Sequence, residues 1–199
     1  LRPTPRVGGV GIYLALITAW ALARDRHMDA ILATLLIAAV PALLVGLAED
    51  ITKSVSPTAR LIATAASGAL ASWLSGVSLT HLDVPIVDGI LTIAPVSLVF
   101  TALAVAGVAN AMNIIDGFNG LASGTATLAL GCIALLASTV GDTLLMVSAI
   151  TLAAAIVGFW LVNFPWGKLF LGDGGAYFTG FALAWLAVLL PMRNPGVSP

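Results

Sequence analysis

Long apolar runs separated by brief polar interruptions set the pattern of this chain. The runs cover roughly 7–23, 30–47, 58–75, 91–109, 121–140, 144–164 and 176–191. A helix that crosses a bilayer needs about 20 mostly apolar residues, and shorter ones are tolerated with interfacial adjustment. The runs are continuous rather than strictly alternating, so they predict helices and not barrel strands. The expected fold is an all-α polytopic membrane protein with about seven transmembrane helices. Small residues recur inside the runs, as in Ala63-Thr64-Ala65-Ala66-Ser67-Gly68-Ala69, and permit close helix approach in lipid. Pro41 and Pro95 fall inside spans and predict kinks. Segment 82–89 differs: it alternates and closes on Asp88-Gly89, which predicts a small β-hairpin near 82–93 on the periplasmic side.

Four polar interruptions stand out. They are Pro3-Thr4-Pro5-Arg6-Val7-Gly8-Gly9, then Glu49-Asp50-Ile51-Thr52-Lys53, then the stretch from Asn110 to Gly120, then Gly172-Asp173-Gly174-Gly175. Two spans separate each from the next, and a chain that crosses twice returns to the side it left. All four therefore gather on one membrane face, with four of the nine acidic residues, three asparagines and seven glycines. That concentration predicts an active site.

Composition narrows the class. Of 199 residues, 60% are hydrophobic and 9% charged, with mean hydropathy +1.09. Soluble domains are about one quarter charged, so a soluble protein is excluded. The net charge of -1 gives no support for nucleic-acid binding. The single Cys132 rules out an intramolecular disulfide framework. The opening Leu1-Arg2-Pro3 shows neither a signal peptide nor an initiator Met, and residues 191–199 stop in a loop. The expectation is one transmembrane catalytic domain over 1–199, truncated at both ends. Arg2, Arg6, Lys53, Arg60 and Lys168 lie on the motif face against Arg24, Arg26 and Arg193 opposite, which favours a cytoplasmic motif face. His27 and His81 lie opposite, away from every acidic motif, and the five tryptophans read as interfacial anchors near span ends.

Each motif offers chemistry. Glu49 and Asp50 are adjacent carboxylates at a span end, costly unless wetted, paired or metal-bound. Their hard oxygens suit Mg²⁺, which takes one or two carboxylates and keeps waters and phosphate oxygens. Lys53 either pairs with Asp50 or meets a phosphate. Asn110, Asn113, Asp116 and Asn119 are spaced by three and share one face if the helix continues. Such a stripe can orient a carboxylate or hydrogen-bond a sugar or phosphate. Gly117 and Gly120 allow close backbone approach and can end the helix. Asp173 sits among three glycines whose N–H groups can face an anion, or it is simply an N-cap. Arg6 can hold a phosphate, or its loop is a plain turn into a span.

In series, the Pro-Thr-Pro-x-x-Gly-Gly loop, the acidic pair, the Asn-x-x-Asp-Gly-x-x-Gly loop and the Gly-Asp-Gly-Gly loop resemble the polyprenyl-phosphate N-acetylhexosamine-1-phosphate transferases. This is the membrane family, glycosyltransferase family 4, of the cell-wall lipid I synthase and of the initiating transferases for O-antigen and enterobacterial common antigen. The resemblance covers essentially the whole chain. It implies transfer of a sugar-1-phosphate from a UDP-N-acetylhexosamine to undecaprenyl phosphate at the cytoplasmic face of the bacterial inner membrane, releasing UMP. It implies Mg²⁺, with Mn²⁺ as a substitute. By resemblance Asp173 is the metal ligand, and Asp116, Asp50 and Glu49 are the catalytic carboxylates. Arg6, Lys53, Asn110, Asn113, Asn119 and Gly117 bind substrate, and a homodimer is compatible with it. Much of the family has Asp-Asp in place of Glu49-Asp50, and many members have Asp in place of Asn119, which favours hydrogen bonding over metal ligation there. The family's later histidine-containing cytoplasmic loop has no counterpart here, so further spans are expected in the parent protein. Glu49-Asp50 and Gly-Asp-Gly-Gly look closer to the polysaccharide-initiating branch than to the lipid I branch.

Two rivals make different demands. A secondary transporter buries its acids near the midplane at broken helices of repeated halves; here they sit at span ends and no repeat is evident. A non-catalytic scaffold would tolerate free substitution of Asp116 and Asp173.

Overall fold

The computed structural model describes residues 4–22 and 26–199, with side chains described from Ala30 onward in the second stretch. Leu1-Arg2-Pro3, Arg24 and the side chains of Arg26 and His27, all used in the reading above, lie outside the described residues. Among the described residues there are nine helices and no strands: α1 (Gly8–Leu22), α2 (Arg26–Ala38), α3 (Val40–Thr52), α4 (Pro57–Ser75), α5 (Pro85–Leu91), α6 (Ala94–Ile115), α7 (Leu121–Thr139), α8 (Thr143–Asn163) and α9 (Gly172–Arg193).

Every expected span coincides with helix, α2 and α3 sharing one. Five are long and apolar enough to cross a membrane: Ala30–Thr52, Ala94–Ile115, Leu121–Thr139, Thr143–Asn163 and Gly172–Arg193. The other two fall short for different reasons. Helix α1 has only 15 residues. Helix α4 carries buried Thr64, Ser67 and Ser72, and two of these hydroxyls serve neighbouring helices.

Pro41 explains one of them. It lacks an N–H and its ring clashes with the preceding turn, so the span breaks at Ala39. The Ala42 N–H, leaving its helical register, donates to Ser67 Oγ of α4 at 3.0 Å. A freed donor at membrane depth is tolerated because a neighbouring helix satisfies it. Pro95 does not kink its span; it stands in the first turn of α6, where its missing N–H costs nothing.

The expected hairpin near 82–93 is instead the short helix α5. Pro85 starts that helix, and Asp88 Oδ1 accepts the Leu82 N–H at 2.6 Å. A proline donates nothing to a ladder, and a lone two-stranded hairpin is marginal.

Helix α9 is the hub. It packs most extensively on α3 and α6 and also touches α1, α4, α7 and α8. Tyr177, Phe178, Phe181 and Trp185 are buried along it, as expected for a helix apolar all round. Trp185 is thus a core residue rather than an interfacial anchor. At the end opposite the motifs, Asp142 caps α8 by accepting the Leu145 N–H at 3.1 Å. Arg193 closes on the same carboxylate through Nε at 2.8 Å and Nη2 at 3.1 Å, and Asn194 Nδ2 adds a bond at 3.2 Å. Helix α9 is stapled at its C-terminal end to the α7–α8 turn.

Candidate active site

Backbone pairing joins the first and fourth motifs. The Phe170 N–H donates to Pro5 O at 2.9 Å, and the Gly8 and Gly9 N–H groups donate to Phe170 O and Leu171 O at 3.0 Å each. Glycine is required where these strands of chain meet α9. A Cβ on Gly9 would overlap the Gly175 backbone, and one on Gly46 of α3 would overlap that of Gly174. The expected anion site at the α9 N-terminus is filled from within, because Gly174 N–H donates to Asp50 Oδ2 at 3.1 Å.

A cleft of about 310 Å³ opens beside this junction, lined by Arg6, Asn113, Asp116, Gly117, Asn119 and Asp173 with Phe118, Asn163 and residues 170–172. Both oxygens of Asp173 have partners. Oδ1 accepts from Asn113 Nδ2 at 3.2 Å, and Oδ2 faces Arg60 Nη1 at 3.8 Å. Tyr177 OH donates to Asn113 Oδ1 at 3.2 Å, so the amide is held with its nitrogen toward the carboxylate. Tyr177 lies four residues after Asp173 on α9, hence on the same helix face.

Asp116 is treated differently. It caps the C-terminal end of α6, where the helix dipole is negative. Burial, then the like charges of Asp173 and Asp50, push its pKa from 3.8 up to about 7, with Arg6 opposing. Asp116, raised by burial and by the like charge of Asp173 at the same cleft, is in an electrostatic setting that a divalent cation relieves. No group of three or more His, Cys, Asp or Glu that could cage a metal occurs among the described residues. Asp116 and Asp173 therefore fit Mg²⁺ completed by water and phosphate oxygens, not an all-protein cage.

The expected residues divide into those at the cleft and those behind it. Asp50 stands behind: its side chain is 6% exposed, with Lys53 Nζ at 3.6 Å and Arg6 Nη1 at 3.9 Å from Oδ1. Lys53 takes a left-handed conformation (φ 54°) at the α3 C-cap. Glu49 Oε2 accepts the Val55 N–H at 2.8 Å and closes the turn into α4. Asn110 faces α4, donating to Thr64 Oγ1 at 3.0 Å. The stripe spaced by three does not continue as one helical face, because α6 ends at Ile115. Asn119 beyond that end donates to Pro165 O at 3.3 Å across the cleft rim.

Three residues of the site were not singled out from sequence. Arg60 is noted there only as a charge on the motif face. Tyr177 is legible as the i+4 neighbour of Asp173. Asn163, 5% exposed, latches two loops: Oδ1 accepts the Gly120 N–H at 2.6 Å and Nδ2 donates to Leu169 O at 2.8 Å. Its one signal is a lone amide closing an apolar span.

Comparison with known proteins bears on this geometry. Residues 31–191 match the family described as Glycosyl transferase family 4. The chain is 27% identical over 185 residues to a probable undecaprenyl-phosphate N-acetylglucosaminyl 1-phosphate transferase of Bacillus subtilis, covering 93% of the chain and 51% of that relative. It is 30% identical over 202 residues to a phospho-N-acetylmuramoyl-pentapeptide-transferase of Geobacillus thermodenitrificans, covering 96% and 62%. Over 98 residues it is 40% identical to the protein of that name from Shouchella clausii, covering 48% and 30%. The chain thus spans between about a third and three fifths of the length of these relatives.

Proposed function

The chain belongs to glycosyl transferase family 4, and from that premise we propose that it carries the catalytic face of a membrane sugar-1-phosphate transferase. The donor is a UDP-N-acetylhexosamine, the acceptor is undecaprenyl phosphate, and the products are the lipid-linked diphosphate sugar and UMP. The reaction takes place at the cytoplasmic face of a bacterial inner membrane and initiates a cell-envelope polysaccharide. One observation carries this reading: Asp116 and Asp173 face one polar cleft, beside Asn113 and Arg6, at the end of an apolar bundle.

Phosphoryl transfer asks the protein mainly for positioning and charge neutralisation. An oxygen of the lipid phosphate forms a new bond to the β-phosphorus of the donor. The bond from that phosphorus to the UMP oxygen breaks, and UMP leaves with the electron pair. The lipid phosphate is already ionised enough to attack, so no strong base is needed. Asp116 and Asp173 would hold Mg²⁺, which would supply neutralisation of phosphate charge. Asn113 fixes the Asp173 carboxylate, with Tyr177 behind it. Arg6 lies at the cleft with its side chain half exposed, placed to meet phosphate oxygens. Asn119 and the Gly117 backbone offer hydrogen bonds to the sugar side. The two helices short of a full span, α1 and α4, complete seven crossings by packing polar or small faces inward.

UMP release tests the proposal. Membranes containing the protein are supplied with undecaprenyl phosphate and a panel of UDP-N-acetylhexosamines, with and without Mg²⁺. Release that needs both lipid and metal and falls by about 100-fold or more in Asp173→Asn is the expected outcome. Absence of release with every donor, from folded protein, would sink it. The transporter reading gains nothing from the structure, since Asp50, Asp116 and Asp173 lie at helix ends rather than mid-span.

A further inference from the structure

We infer that Asp50 is a positioning residue: its carboxylate caps the N-terminus of α9 from inside the protein and thereby fixes the direction of Asp173. The activity arm of the test below rests on the transferase reading; the structural arm does not.

The first turn of a helix leaves its N–H groups without intrahelical partners and carries partial positive charge. In α9 that turn reads Gly172-Asp173-Gly174-Gly175. Three glycines give it no side chains with which to hold itself, and glycine loses the most conformational freedom on ordering. The α1 N-terminus holds the chain just before this turn through Leu171 O, and the hydrogen bond within the turn comes from α3. Gly46, one turn before Asp50, lets the α3 backbone close on Gly174, which brings the Asp50 carboxylate to the start of α9. There Oδ2 accepts the Gly174 N–H at 3.1 Å.

Gly172 confirms how closely the carboxylate is seated. Its φ is +76°, and a Cβ at this position would stand 2.6 Å from Asp50 Oδ2. Oδ1 is buried with no hydrogen bond; Lys53 and Arg6 balance its charge from 3.6 and 3.9 Å. The side chain does not line the cleft. Asp173 is flanked in the chain by Gly174, which donates to this carboxylate, and by Gly172, where the carboxylate leaves no room for a Cβ. A rotation of the first turn of α9 would carry Asp173 away from both Asn113 and Arg60. Asp50 thus acts through α9, not on the reacting atoms.

The experiment compares Asp50→Asn, Asp50→Ala and Asp50→Glu in the full protein. One readout is amide hydrogen exchange over 170–176, and the other is UMP release against Mg²⁺ concentration. Asn keeps a carbonyl oxygen for the Gly174 N–H, so exchange stays within about 3-fold of wild type. Ala loses the cap, and exchange at 172–175 rises by about 2- to 30-fold, the equivalent of a lost N-cap. In activity Asn exceeds Ala by about 10-fold, and Ala raises the Mg²⁺ concentration for half activation. Glu is too long to keep its oxygen beside Gly172, so it behaves as a lost cap; it decides the matter if Ala does not fold. Unchanged exchange in both Ala and Glu would overturn the inference. So would Glu retaining activity while Asn and Ala are equally inactive, the pattern of a direct ligand or base. Failure of the wild type to release UMP would remove the transferase reading and leave the exchange comparison to decide the cap.

Discussion

Two aspartates at opposite ends of the bundle are treated in opposite ways. Asp142 is half-wrapped by donors: Arg193 bidentate, Asn194, and the Leu145 N–H of the helix that it caps. Burial alone would push its pKa up, but those hydrogen bonds and the Arg193 charge outweigh it and hold the pKa below the ordinary value. Asp116 has burial and like-charged neighbours, and its pKa rises to about 7. Residue type does not separate them; supply of donors does. A carboxylate given all its partners by its own chain is a staple. One left with like charges at a cleft has a place for a partner from outside the chain.

The largest effect should come from neutralising each in turn. Asp116→Asn is expected to lower UMP release by about 100-fold or more, the scale on which losing a transition-state charge partner acts. Asp142→Asn is expected to stay within a few-fold of wild type in the same assay. The reverse ranking would break the comparison, because the staple would then be the group on which the reaction depends.

Stability should rank them the other way. Asp142→Ala removes the α8 cap and leaves Arg193 without its carboxylate, a loss of about 1–3 kcal/mol. Asp142→Asn keeps a capping oxygen and should lose less. Asp116→Ala deletes a charge held against other charges and should leave the unfolding midpoint unchanged or raised. Thermal unfolding in detergent checks all three. An Asp116→Ala protein less stable than Asp142→Ala would show that Asp116 has structural partners after all.

Sequence reached the two ends unequally. The spans and the shared face of the motifs were legible because hydropathy and crossing parity are properties of the chain alone. The break at Ala39 was half legible: Pro41 announces it, but the acceptor Ser67 lies on another helix. The hairpin reading of 82–93 failed because alternation over a few residues cannot outweigh Pro85 starting a helix. At the cleft, spacing by three grouped Asn110 with Asn113, yet Asn110 serves α4 and Asn113 serves Asp173. A period describes a helix only as far as the helix runs, and α6 stops at Ile115. Arg60 escaped because its pairing with Asp173 spans more than a hundred residues of chain. The staple of Asp142 and Arg193 escaped likewise, its partners lying 51 residues apart in the chain.

The smallest effect is a slope, and it is the sharpest separation of the two aspartates. Stability falls with rising pH wherever the folded state holds a proton that the unfolded state has lost. Asp116 ionises near 3.8 when unfolded and at about 7 when folded. Between those values unfolding releases its proton, so its contribution favours the fold at low pH and is lost as pH rises toward about 7. Asp142 has the opposite sign. Its folded pKa lies below 3.8, so its contribution is present above that value and lost only as pH falls through the folded pKa. Across pH 5 to 8, in a chelator, the wild-type unfolding midpoint should therefore carry a downward component from Asp116 and none from Asp142. Asp116→Asn should flatten that component, whereas Asp142→Asn should lower the whole curve and keep its slope. Adding Mg²⁺ should shrink the slope in the wild type, because a cation that binds ionised Asp116 favours the deprotonated fold. A slope unchanged by Asp116→Asn would assign it to another group and return Asp116 to the ordinary carboxylates.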